Sequence, residues 1–130
     1  MMKLTVKICL FGGLLWLAAC TQTISHSGCW VADPYLNGRY TGECKDGKAH
    51  GVGTAIGKDT YKGQFVAGQL QGSGLYTWSD GDRYCGSFQN GKINGVGVML
   101  YINGSRKEGM WKDGSLAQSY AENTVTCNIR

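Results

Sequence analysis

Between residues 61 and 106, apolar and polar residues alternate in a pattern that occurs twice. In each copy an aromatic residue, a glycine and a second aromatic residue stand at alternate positions, as Tyr84, Gly86 and Phe88 do. A period of two places successive side chains on opposite faces of a β-strand. Asn90-Gly91 follows, a dipeptide that favours the positive φ angles of a tight hairpin turn. Residues 94–102 then alternate again, so each copy predicts one β-hairpin.

The two copies are each 23 residues long and coincide at eight positions. These are Tyr61/Tyr84, Gly63/Gly86, Phe65/Phe88, Gly68/Gly91, Gly72/Gly95, Gly74/Gly97, Gly81/Gly104 and Arg83/Arg106. A fixed period of this length indicates a repeat array, in which each unit buries its apolar face by stacking on its neighbours. The glycine between the two aromatic residues is expected to leave room for a ring from a neighbouring repeat.

The pattern aromatic-x-Gly-x-aromatic, followed by Gly-x-Gly, resembles the MORN repeat (membrane occupation and recognition nexus). A copy that is two residues shorter begins at Tyr40, and a partial copy follows the pair, with Lys107 where a tyrosine is expected. Because a deletion of one residue from each side of a turn preserves which side chains face inward, the register should survive.

The resemblance covers residues 38–116. It implies an all-β fold, an elongated single-layer antiparallel sheet of stacked MORN β-hairpins with seven or eight strands. The aromatic positions of the repeat core would be filled by Tyr40, Tyr61, Phe65, Tyr84, Phe88 and Trp111.

The amino-terminal 19 residues have the pattern of a secretory signal peptide, with a basic start and an apolar run over 8–19. As a helix this run would rise about 18 Å, short of the roughly 30 Å of a bilayer core. Leu17-Ala18-Ala19-Cys20 resembles the bacterial lipobox, which implies cleavage before Cys20 and its lipidation; an ordinary signal peptide is the alternative. Residues 20–28 would then be the lipidated cysteine and a tether. A lipidated Cys20 implies that the protein is located in the bacterial cell envelope. If the organism is Gram-negative, the implied location is the outer membrane, since Thr21 rather than an aspartate follows Cys20.

Four cysteines remain after the predicted lipidation site, namely Cys29, Cys44, Cys85 and Cys127. An even number in a small exported domain argues for disulfides, with three possible pairings. Residues 28–53 resemble the opening of exported bacterial MORN proteins, which implies that Cys29 pairs with Cys44. Residues 29–37 would then form an N-terminal cap that protects the open edge of the first hairpin. Cys85 faces outward on its strand, so the tail 117–130, a second cap, would supply Cys127. A zinc site is disfavoured because no C-x-x-C pair is present.

The charge balance and the motifs narrow the classes of function. The chain has 13 basic and 9 acidic residues, and removal of Lys3 and Lys7 with the signal peptide lowers the formal charge from +4 to +2. No basic run remains, which disfavours a nucleic-acid partner. The sequence has neither a nucleophile–base motif nor a phosphate loop, so neither an enzyme nor a cofactor is predicted.

The resemblance implies a protein-binding or scaffolding module with a protein partner in the envelope. Three rings outside the repeat core, Tyr76, Trp78 and Tyr101, are the candidate recognition surface, because exposed amphipathic rings are favoured contacts. The alternative is direct binding of phospholipid headgroups or envelope glycan, although the weak charge speaks against an electrostatic version. An enzyme of an unrecognised type is the third interpretation.

Overall fold

A computed structural model describes residues 28–129, and the regular structure in this part of the chain consists of eight strands. The strands are β1 (Arg39–Lys45), β2 (Lys48–Ile56), β3 (Thr60–Val66), β4 (Gln69–Thr77), β5 (Arg83–Gln89), β6 (Lys92–Leu100), β7 (Arg106–Lys112) and β8 (Ser115–Ser119). They form one antiparallel sheet in chain order. The all-β fold of consecutive hairpins is therefore confirmed, and β8 carries the fourth hairpin beyond residue 116.

All four hairpin turns have the same backbone geometry. In each, two successive residues have positive φ, as in Asn90 (50°) and Gly91 (79°), which is the pattern of a type I′ turn. The two residues that the first repeat lacks fall in the loop between hairpins, which spans 57–59 there and 78–82 in the next repeat. Because β2 and β4 both keep nine residues, the register is preserved.

One row of glycines crosses the sheet from β1 to β7, and each glycine is paired with the next. The row is Gly42, Gly53, Gly63, Gly74, Gly86, Gly97 and Gly109. A Cβ atom at Gly53, Gly74 or Gly97 would overlap the ring of Tyr40, Tyr61 or Tyr84, respectively. The glycines that make room for rings are therefore these later ones, and each ring belongs to the same repeat. The glycine between the two aromatic residues, such as Gly63 or Gly86, was predicted to make room for a ring of a neighbouring repeat, but a Cβ there would meet the backbone of the paired strand and the tyrosine hydroxyl of its own repeat.

The face of the sheet that carries these tyrosines, here the inner face, holds a continuous series of edge-to-face ring contacts. We call it the ring ladder, and its order is Tyr40, Phe65, Tyr61, Phe88, Tyr84 and Trp111. Successive ring centroids are 5.1 to 5.6 Å apart. All six side chains are buried. Since edge-to-face pairs contribute about 0.5–1.5 kcal/mol beyond their burial, the ladder couples the hairpins to one another.

The cap, residues 29–37, lies across the inner face of the first two hairpins. Val31 and Leu36 are buried in the same cluster as the ring ladder. Its backbone bonds go to the hairpin turns and to the loop at Asp59, whose N–H donates to Tyr35 O over 3.0 Å. The expectation that the cap protects the open edge of β1 was therefore wrong. The cap lies on the inner face because its apolar side chains are buried there against the rings.

The tail, residues 120–129, lies on the opposite, outer face. Cys127 is bonded to Cys85, and Val125 N–H donates to Glu108 Oε2 over 2.9 Å. Arg106 completes this contact, because its Nη2 donates to Glu108 Oε2 over 3.0 Å and to Val125 O over 3.3 Å. The tail thus buries Cys85, Val98 and Glu108 on a sheet face that is otherwise open.

Candidate binding site on the inner face

The cap covers the inner face only over β1 to β4. Beyond it, four apolar side chains are packed against the core but remain partly exposed: Trp78, Ile93, Met99 and Leu116. Alternation along β6 places Ile93 and Met99 on the same face as the rings. The later hairpins therefore present an apolar surface that no other part of residues 28–129 covers fully.

Two cavities adjoin this surface where the cap ends. One, of about 350 Å³, lies between the cap residues Asp33 and Pro34 and the hairpin residues Leu70 and Lys92. The other, of about 320 Å³, is lined by the apolar side chains of Leu70, Trp78 and Ile93 and by Lys92. Gly91 borders both cavities. Such concave, mostly apolar spaces with a few polar groups are typical of ligand sites.

Tyr76, a member of the predicted recognition surface, is buried, with 6 % of its surface exposed. Its hydroxyl donates to Asp59 Oδ2 over 2.8 Å. Burial, then the hydrogen bond to Asp59 and the nearby carboxylates, raise the pKa of Tyr76 above its usual value, so the phenol stays neutral. The prediction that this ring is exposed was wrong, because Tyr76 stands two residues from Gly74 and therefore faces the core.

The structure does not bring the three predicted rings together. Trp78 packs on Tyr76, with ring centroids 4.7 Å apart, and borders the smaller cavity. Tyr101 lines a separate cavity of about 600 Å³ at the end of the array. There the Lys107 ammonium lies 5.8 Å from the centroid of the Tyr101 ring. Tyr76 and Trp78 both line the smaller cavity beside the cap, whereas Tyr101 does not.

The sequence reasoning missed the role of an aspartate that precedes two of the tyrosine strands, β3 and β5. Asp59 Oδ1 accepts a hydrogen bond from Ser79 N–H, and Asp82 Oδ1 accepts one from Ile102 N–H, both over 2.9 Å. Each carboxylate therefore fixes the next loop along the sheet. The two aspartates stand at the same repeat position, and this coincidence was a signal that could have identified them.

The cysteines after residue 28 are paired as the resemblance and the strand alternation implied. Cys29 is bonded to Cys44 and Cys85 to Cys127, with Cα atoms 5.9 and 5.7 Å apart. Within residues 28–129, no cluster of three or more His, Cys, Asp or Glu side chains could hold a metal ion. In the same range no helix is long and apolar enough to cross a membrane. Cys20, the predicted signal peptide and residues 20–27 of the predicted tether lie outside the described residues.

Comparison with protein families gives one match, to the MORN repeat. Three repeats match, at residues 40–59, 61–83 and 84–106, which together cover just over half of the chain. The fourth hairpin is formed in the structure although its sequence gives no match. No curated protein matches the chain significantly. MORN repeats are commonly protein-binding or lipid-binding modules.

Proposed function

Because the chain belongs to the MORN-repeat proteins, we propose that it is a non-enzymatic, protein-binding or scaffolding module of the bacterial cell envelope. The observation that supports this proposal is the uncovered inner face beside the cap. There Trp78 and Ile93 border cavities that continue the surface on which the cap itself is seated. A surface that already holds one segment of polypeptide is suited to hold a second.

The anchor belongs to the same proposal. Lipidation of Cys20 would hold the array at a membrane, since each buried CH₂ of an acyl chain contributes about 0.8 kcal/mol. The described domain begins eight residues after Cys20, a separation that a flexible chain spans in about 16 Å. The partner would then be an envelope protein within reach of the lipid headgroups.

Site-specific photo-crosslinking in the native envelope tests the proposal. A benzophenone amino acid at position 93 reports on the inner face, and the same amino acid at position 66 is the matched control. Val66 is 48 % exposed and alternates with Phe65, so it lies on the outer face. We expect a discrete protein adduct from position 93 and none from position 66. Equal adducts from both positions, or none from either, would contradict protein binding through the inner face.

The alternative, direct recognition of phospholipid, gives a different result in vesicle flotation. The protein that begins at Thr21, which has neither the lipidation site nor the apolar segment 8–19, is mixed with vesicles of neutral and anionic phospholipid. Under the protein-binding proposal it stays in the soluble fraction with both. Flotation with either vesicle would favour lipid recognition by the repeats.

A further inference from the structure

The cap binds the hairpin turns through alternate backbone N–H groups. Trp30 N–H donates to Gly47 O, and Ala32 N–H donates to Gly68 O, each over 2.8 Å. Val31, between the two donors, points inward and is 3 % exposed. Each step of two residues along the cap therefore advances it by one hairpin, with an apolar side chain seated between the two bonds.

The turn glycines form a regular row that continues past the cap. Gly68, Gly91 and Gly114 each donate their N–H to a carbonyl of the preceding hairpin, over 2.8 to 3.0 Å. All the turns share the same pair of positive φ angles and are followed by a strand that begins at the next residue, so Gly91 and Gly114 hold the same place in their hairpins as Gly47 and Gly68 do. Within residues 28–129, neither of these two later carbonyls accepts a backbone hydrogen bond.

The cap leaves this row at a proline. The residue due to donate to Gly91 O is Pro34, two positions after Ala32, and proline has no N–H. At this point the chain turns, because Asp33 Oδ1 accepts from Tyr35 N–H over 2.9 Å and Asp33 O accepts from Leu36 N–H over 3.1 Å. The row of acceptors is thus interrupted by the sequence of the cap while the sheet itself continues.

Gly91 lines both of the cavities described above. The smaller is lined by Leu70, Phe88 and Ile93, and its volume of about 320 Å³ accepts an apolar side chain. This cavity lies next to Gly91 and Gly114, whose carbonyls accept no backbone hydrogen bond from the described residues. In the same way, buried Val31 lies next to the Gly47 and Gly68 carbonyls, which accept hydrogen bonds from the cap.

We infer that the carbonyls of Gly91 and Gly114 are a docking row for an extended segment of a partner protein, which continues the path of the cap. The segment donates N–H groups from residues i and i+2 to the two carbonyls and seats an apolar side chain at i+1 on Leu70 and Ile93. It has no proline at i or i+2. This rests on the proposed function and specifies how the partner is held.

A pentapeptide that copies the cap is the probe, acetyl-Ser-Trp-Val-Ala-Asp-amide. Its control carries N-methyl groups on Trp and Ala, which remove both donors and keep every side chain. Binding to the isotope-labelled full-length protein is followed by the NMR shifts of the amides of Lys92, Ile93 and Ser115. We expect saturable binding with a dissociation constant on the order of 1 mM, and N-methylation should weaken it about tenfold or more.

A pair of protein variants completes the test. Ile93→Glu puts a charge on the inner face and should abolish the shifts, whereas Val52→Glu, on the outer face, should leave them unchanged. Equal binding of the two peptides, shifts confined to the outer face, or no saturable shift at several times this concentration would overturn the docking row. If position 93 still crosslinks to a protein in the envelope, then the protein-binding proposal stands and only the backbone docking fails.

Discussion

The pairing of a tyrosine with a glycine on the next strand gives a quantitative prediction at Gly74. Gly74 is not one of the glycines with positive φ, so its backbone would accept alanine. Alanine in place of glycine within a strand should stabilise the fold by about 0.5–1 kcal/mol. However, the three atoms nearest to a new Cβ all belong to the phenol group of Tyr61, and the Cβ would overlap them.

The ring of Tyr61 has little room to move aside. It is fully buried, and edge-to-face contacts to Phe65 and Phe88 hold it at 5.1 and 5.2 Å. Overpacking of this kind costs about 1–3 kcal/mol. The net effect of Gly74→Ala should therefore be a loss of up to about 2.5 kcal/mol, with a middle value of about 1 kcal/mol or roughly 4–8 °C in Tm for a domain of this size.

Removal of the Tyr61 ring should change the effect of Gly74→Ala from destabilising to stabilising. In the Tyr61→Leu background the overlapping atoms are gone, and Gly74→Ala should stabilise the protein by about 0.5–1 kcal/mol. Denaturant unfolding of the four proteins, with disulfides intact, measures the cycle. Gly47→Ala is the control, since no atom lies within 4 Å of its Cβ, and its effect should not depend on Tyr61. If Gly74→Ala lowers the free energy of unfolding equally in both backgrounds, then the Tyr61 ring is not the reason why glycine is required at position 74.

Three further predictions concern ionisation and anchoring. Burial raises the pKa of Tyr84 to about 12, so the stability that its neutral phenol contributes is complete below pH 10 and is lost as the pH rises towards 12. An ultraviolet titration of Tyr84→Phe should therefore lack the component that wild type shows near pH 12. If the substitution instead removes a component near pH 10 from the folded protein, then Tyr84 has its usual pKa. Although burial opposes ionisation of Glu108, the Val125 N–H and the Arg106 guanidinium lower its pKa below 4.5. The stability difference between wild type and Glu108→Gln should be complete above this pH and shrink as pH falls through the lowered value, and an unchanged difference in thermal unfolding at pH 3 and pH 7 would count against the contact. Cys20→Ser should move the protein out of the membrane fraction or block its processing, and unchanged fractionation and processing would exclude lipidation.

The strands and turns were predictable because the same alternation and the same turn glycines occur at matching positions of successive repeats. Asn90-Gly91 specifies a turn by itself, and its coincidence with Gly68 fixes where the preceding turn must be. The burial of Tyr76 was also within reach, since alternation from Gly74 places it on the inner face. It was missed because its counterpart in the next repeat is Met99, so that repeat comparison gave no aromatic position there.

The paths of the cap and the tail could not be predicted in the same way. Each segment occurs once, so no second copy indicates which face it covers. A cysteine pairing constrains only one point of such a segment. The bonds that fix the tail along its length come from Arg106 and Glu108, and nothing in their spacing distinguishes them from solvent-exposed charges before the outer face is known to be covered.

The end of the array follows the same rule as its interior. Tyr40, Tyr61 and Tyr84 each stand over a glycine on the following strand. In the last hairpin Ser119 is paired with Gly109, as Gly74 is with Gly63, so the place under a ring is filled. Lys107 stands at the ring position instead, and its ammonium lies over Tyr101.

The two changes occur in the same hairpin, where Lys107 and Ser119 line one cavity. The ring ladder ends at Trp111, and the cap covers its beginning. Between these ends the inner face keeps the repeat geometry without a cover, and there Gly91 lines two cavities. The position of the vacant acceptor row is thus a consequence of how the array is closed at each end.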